Sequence, residues 1–233
     1  MRRGDEASIA VRVLGGSVVL VMLLGVETRA ELYNFQPISN NSGVSGHIAG
    51  GLTVEVAPHE NGSNQAIFKF INDIPDPYDG NIMRIFFDDT GGLGRISGLI
   101  EPGEFGVDFR YGDNGNGNFP GGNRLTPRFQ TTEWVEFDNG GTGKIGPGEY
   151  LGVVYDLVAG KTFQDLIDAI GDGTTGSVRV GMHVGSIVPA WDAGDSDSFV
   201  MVRVPAPAAV LLGAWGLGMA GFHLRRRRDL TNT

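Results

Sequence analysis

The chain has 233 residues and no cysteine. Any chemistry must therefore come from carboxylates, histidines, hydroxyls or glycine-rich turns, and thiol nucleophiles and thiolate metal sites are excluded. Glu133 and Glu136, with Asp108 upstream, offer the paired carboxylates that glycoside hydrolysis needs. On one strand, however, residues three apart face opposite sides. Three acidic groupings could supply oxygens to a structural calcium ion: Asp88 with Asp89, Asp113 among asparagines, and Asp192 with Asp195 and Asp197. None follows the EF-hand loop or the calcium-binding nonapeptide.

His183 lies in "VGMHVGS" on the face opposite Val180, Met182 and Val184, while His47 and His59 lie near loops. No two histidines stand at metal-ligand spacing on one element. "GDGTTG" (171–176) matches the glycines of a dinucleotide loop, but a helical pattern precedes it and a strand pattern follows, the reverse of what that loop needs. It reads as a helix stop and a turn. Trp134 and Trp191 could stack on sugars, with burial the commoner role. Asn40 and Asn61 open N-x-S triplets. These residues yield no catalytic assignment and no cofactor, a structural calcium ion being the one candidate.

The elements that must position such groups are strands. Glycine occurs 38 times, clustered with Asn, Asp, Ser and Thr between short apolar runs, which is how tight turns between strands look. Strand patterns fall at 52–57, 66–73, 81–89, 96–100, 107–112, 133–139, 150–157, 177–187 and 198–204. Their alternation predicts antiparallel strands with one face in a core. The expected fold is all-β, an antiparallel sandwich of jelly-roll type. One helix is expected in "KTFQDLIDAIGDG", where Phe163, Leu166, Ile167 and Ile170 carry helical spacing. Thr162 is placed to cap it, Asp165 stands three residues on, and Gly171 can end it. Residues 111–128 form a long irregular stretch of the kind that often binds something.

Charge separates the middle of the chain from its ends. Residues 31–203 hold 23 acidic against 10 basic residues, about −13. Such a domain repels phosphate backbones, so nucleic acid is not an expected partner. The start is a basic segment (Arg2, Arg3, Arg12), a 14-residue apolar run from Val13 to Val26, and small residues Thr28 and Ala30 before Glu31. That is the layout of a secretory signal peptide over 1–30 with a cut before Glu31. The end is a proline pair, an apolar run of 17 residues (Ala208–Leu224) and four arginines, Arg225, Arg226, Arg227 and Arg228. As a helix the run would be roughly 26 Å long, slightly short of a ~30 Å hydrocarbon core. The arginines hold its inner end in the cytoplasm, so 31–203 would lie outside.

Val204-Pro205-Ala206-Pro207, the short glycine-rich helix and the arginine cluster resemble, in that order, the PEP-CTERM sorting signal. The resemblance covers about 30 residues and departs from the motif at Ala206, where the family usually has Glu between the prolines. It implies export by the Sec machinery of a Gram-negative or related bacterium. It further implies processing of the 204–233 tail by an exosortase-like membrane enzyme. The patterns "FKFINDI", "IMRIFFDD" and "VRVGMHVGSI" also look like the β-rich domain found with such tails, which brings no assigned activity. The expected protein is exported, held briefly in the inner membrane by its terminal segments, then placed at the cell surface or in the extracellular matrix. Its expected role is structural or interactive, with a polysaccharide-binding module or surface glycan hydrolase as the alternatives.

Overall fold

The computed structural model describes residues 13–14, 17–18, 29–59, 64–102, 106–112, 117–138, 143–188 and 195–203. Thr28, Asn61, Asp113, Trp191, Asp192, the 204–207 motif and Arg225–Arg228 lie outside the described residues. A two-residue antiparallel pairing joins Val13–Leu14 to Ser17–Val18. Among the described residues no helix is long and apolar enough to cross a membrane.

The described residues within 31–203 form ten strands: β1 (Glu31–Pro37), β2 (Leu52–Pro58), β3 (Gln65–Asn72), β4 (Asp79–Asp89), β5 (Gly94–Ile100), β6 (Phe109–Tyr111), β7 (Glu133–Phe137), β8 (Glu149–Leu157), β9 (Val178–Val188) and β10 (Asp197–Arg203). All pair antiparallel, in the order β5-β8-β3-β2-β1-β10-β9-β4-β7-β6. The all-β expectation holds. In place of two separate sheets, one sheet runs through all ten strands and curls until it is nearly a closed barrel, its two halves face to face. The join is the pairing of β1 with β10. The sequence reading passed over β1, although Tyr33 and Phe35 alternate with exposed Leu32 and Asn34 within it.

Alternation decides the faces. Val54 and Val56 of β2, Phe68 and Phe70 of β3, Val153 and Tyr155 of β8, and Val180, Met182 and Val184 of β9 all turn into one core. Phe87 reaches it from β4, with its ring 5.2 Å from Phe68 and 5.7 Å from Tyr155. These contacts across the barrel set edge to face and stack rings in a region where dispersion and area burial add.

Among the described residues two α-helices are present rather than one. The first, α1 (Ser45–Ile48), is a single turn that buries Ile48. The second, α2 (Phe163–Ile170), is the expected one. Thr162 Oγ1 accepts from the Asp165 N–H at 3.2 Å and the Asp165 carboxylate accepts from the Thr162 N–H at 2.8 Å, a complete capping box. Its four apolar residues are buried and plug the end of the barrel where the chain enters and leaves. "GDGTTG" then stops the helix. Asp172 accepts from the Thr174 and Thr175 N–H groups, each at 2.8 Å, which holds its pKa down at about 2. Gly173, at φ +85°, lies so close to the Met201 carbonyl that a Cβ would be 2.4 Å from it.

The opposite end is closed by two buried polar side chains. Asn72 donates to the carbonyls of Gly80 (2.8 Å) and Ile145 (2.9 Å). Asp197, fully buried at the start of β10, accepts from Ser39 Oγ (2.9 Å), Asn41 N (2.6 Å), Ser42 N (3.2 Å) and Ser42 Oγ (2.5 Å). One carboxylate thus organises the loop that leads from β1 to α1. Asp197→Ala strands those donors in a dry site, and a loss of about 3 kcal/mol is expected in urea unfolding. An unchanged midpoint would show that the loop holds itself.

Candidate functional site

Outside the barrel, residues 117–132 cross the outer face of β4 and β9 and are not a loose loop. Phe86 points outward from β4 and is covered by Phe119 and Phe129, whose ring centroids are 4.7 Å apart. Ile38, Leu125 and Trp134 pack around them as a small second core. The crossing depends on missing side chains below and above. A Cβ on Gly181 of β9 would lie 2.6 Å from the Phe119 ring, and one on Gly112 would lie 1.8 Å from Trp134 Nε1. Trp134, considered from the sequence as a sugar-stacking residue, is half-buried beneath Gly112 and Gly117.

A buried ion pair fixes this segment. Arg179 of β9 binds the Asp88 carboxylate of β4, and both side chains are almost wholly buried. The same guanidinium donates to the carbonyls of Pro127 (2.6 Å) and Arg128 (2.7 Å), and Asp88 accepts from the Gln130 N–H at 2.9 Å. The Phe129 ring lies over the guanidinium, 5.3 Å from its carbon. Asp88, considered for calcium, is therefore an arginine's partner. Asp89 accepts from Tyr155 Oη (2.6 Å) and Gly94 N (2.9 Å).

The resulting outer cleft encloses about 710 Å3, lined by 117–121, Asn123 and 128–131. Two smaller hollows adjoin other parts of the barrel. One of about 270 Å3 opens where the sheet's edges meet, lined by Ile96, Tyr111, Gly112, Thr132, Glu133 and Trp134. Another of about 570 Å3 lies at the end organised by Asp197, beside Asn40, His47 and Arg124. There His47 stacks on Tyr78 with centroids 5.0 Å apart, and Asn40 Oδ1 accepts from Ser45 Oγ at 2.8 Å.

The edge hollow contains half of the proposed carboxylate pair. Glu133 turns inward and accepts the Ile96 N–H at 2.6 Å. Burial pushes its pKa up, the Ile96 N–H opposes this, and nearby Asp89 adds to it. Glu136 turns outward between Arg84 (3.1 Å) and Arg110 (3.3 Å). The two do not converge on one point. The main chain of Asp108 is tied to Gly143 and Asp138.

His183 sits half-buried on the outer face of β9 with Nδ1 3.3 Å from Ser198 Oγ. Burial first, then Arg84, lowers its pKa, while Asp197 opposes. Of the remaining calcium candidates, Asp195 gives its carbonyl to Ile187 N–H and Asp197 holds the donors described above. Among the described residues no three His, Cys, Asp or Glu side chains converge to hold a metal ion. The sequence reading passed over Arg179. Its signal was a lone arginine between core valines 178 and 180. Asn118, Asn123 and Arg128 fall in the irregular stretch 111–128 and Gln130 lies just beyond it, but nothing in one dimension places the four around one cleft.

No family model, curated protein or solved structure matches the chain.

Two measurements check this account. Arg179→Met leaves Asp88 buried and unpaired and should cost about 3–5 kcal/mol. The double change Asp88→Leu with Arg179→Met should cost clearly less than the sum of the two single changes in denaturant titrations. For Glu133 the raised pKa sets the sign. The folded protein keeps this proton where the unfolded chain has released it, so its contribution is fully present below 4.5 and is lost as pH rises through the folded value. Relative to wild type, Glu133→Gln should gain stability as pH rises across that window. Parallel stability curves would remove this assignment.

Proposed function

We propose that this chain is an exported bacterial protein, displayed at the cell surface or in the extracellular matrix, whose acidic β domain is delivered by its N-terminal signal and sorted by its C-terminal tail. The supporting observation is the pairing of the first and last strands. Tyr33 opposes Arg203 in the β1–β10 ladder, and the Arg203 guanidinium lies 3.7 Å from the Glu31 carboxylate. The segment before Glu31 and the segment after Arg203 therefore start side by side at one end of the barrel. A domain so built can hang from a membrane by either segment and leave its flank and far end free. Only residues 204–207 separate the barrel from the apolar run, and four extended residues reach at most about 14 Å. The domain end would stand close to the lipid headgroups when an exosortase-like enzyme acts.

The role of the displayed domain is interaction or structure. The polysaccharide-binding alternative is favoured over a glycan hydrolase by one observation, the divergence of Glu133 and Glu136.

Intact-mass analysis of the protein taken from its own cells tests the sorting reading. Mature chains starting at Glu31 and ending near Pro205–Pro207 are expected. Recovery of a membrane-bound chain that still carries Arg225–Arg228 overturns it.

A further inference from the structure

We propose that the outer cleft binds a linear, uncharged, hydroxyl-rich glycan. The proposal deepens the interaction role and rests on it only for the setting in which the ligand is met.

The cleft is rimmed by exposed polar side chains. Asn118, Asn123, Arg128 and Gln130 are exposed around it, and their side chains make no hydrogen bond or ion pair with the described residues. Elsewhere several polar side chains are used inside the fold, as Asp88, Asp197 and Asn72 are. Each amide offers both a donor and an acceptor, and the guanidinium offers a planar fork of donors. Sugar hydroxyls present the complementary mixture at close spacing.

The backbone that carries two of these groups is held rigid. Arg179 grips the Pro127 and Arg128 carbonyls and Asp88 grips the Gln130 N–H. With the main chain pinned inward and Phe129 buried, Arg128 and Gln130, two residues apart, share the outward side of an extended segment. A preorganised backbone lowers the entropy lost on binding. The burial of an ion pair beneath a surface segment is thus matched by a use for that segment.

The alternatives fit less well. An apolar ligand would find little surface, because Phe119 and Phe129 are already buried. Among the described residues the lining holds no carboxylate for a metal ion. A polyanion would meet the field of a domain carrying about −13. Thr131 of the cleft lining adjoins in sequence Thr132 of the edge hollow, where the exposed ring of Tyr111 offers a face for stacking.

The test uses the purified full chain and four probes: hexasaccharides of β-1,4-glucose, β-1,3-glucose and β-1,4-mannose, with β-1,4-mannuronate hexasaccharide as the polyanionic comparator. Titration calorimetry should show saturable binding to at least one neutral probe. Arg128→Ala and Gln130→Ala should each weaken it about tenfold, and Asn123→Ala, on a separate segment, should weaken it too. Lys69→Ala, which lies over the Tyr150 ring on the other half of the sheet, should leave binding unchanged. Saturable binding to none of the neutral probes overturns the proposal. So does binding that the cleft variants leave intact, or binding to the mannuronate probe alone. Binding is read on the isolated chain, so its failure is distinct from failure of the tail to be processed.

Discussion

A sheet that curls around one core still has two free edges, and how those edges are held determines whether the core stays dry. Here carboxylates hold them. Glu133 on β7 takes the Ile96 N–H of β5, and Asp89 on β4 takes the Gly94 N–H together with the Tyr155 hydroxyl. Glu101, just beyond β5, takes the Phe109 N–H of β6. A direct ladder between β5 and β6 would have closed a full barrel. Side-chain acceptors close it instead, and they satisfy edge N–H groups that would otherwise be open to pairing with another chain. A charge-assisted acceptor is stronger than a neutral one, which suits a fold with no disulfide to keep its edges together.

This changes the meaning of the acidic composition. Several carboxylates are structural parts. Asp197 shapes a loop, Asp88 neutralises a buried arginine, Asp165 caps a helix and Asp172 ends one. Their proton donors are nearly all main-chain N–H groups and hydroxyls, which are plentiful in turns rich in Gly, Ser and Thr. The remaining negative charge lies on the surface, where it favours solubility and repels polyanions. The described lining of the outer cleft carries amides and one guanidinium.

The same economy of parts gives the domain a direction. Because β1 and β10 pair in the middle of the sheet, the chain enters and leaves at one end, next to α2. The loop set by Asp197 sits at the other end, and the cleft lies along the flank. A tethered domain with this layout would present the flank and far end to its surroundings.

The strand content, the one substantial helix with its cap and stop, and the opposed faces of Glu133 and Glu136 were legible in the sequence, because each depends on spacing within a single segment. The role of the chain ends was likewise read from order and composition, and it remains a proposal on that footing. Other features needed residues far apart to meet. The Arg179–Asp88 pair spans 91 positions, and Asp197 finds its partners more than 150 positions upstream. Alternation says that a side chain turns in or out, but it does not say which strand lies opposite. Strand order, the single continuous sheet and the gathering of Asn118, Asn123, Arg128 and Gln130 around one cleft were therefore decided only by tertiary packing, where burial drives most polar groups to find partners.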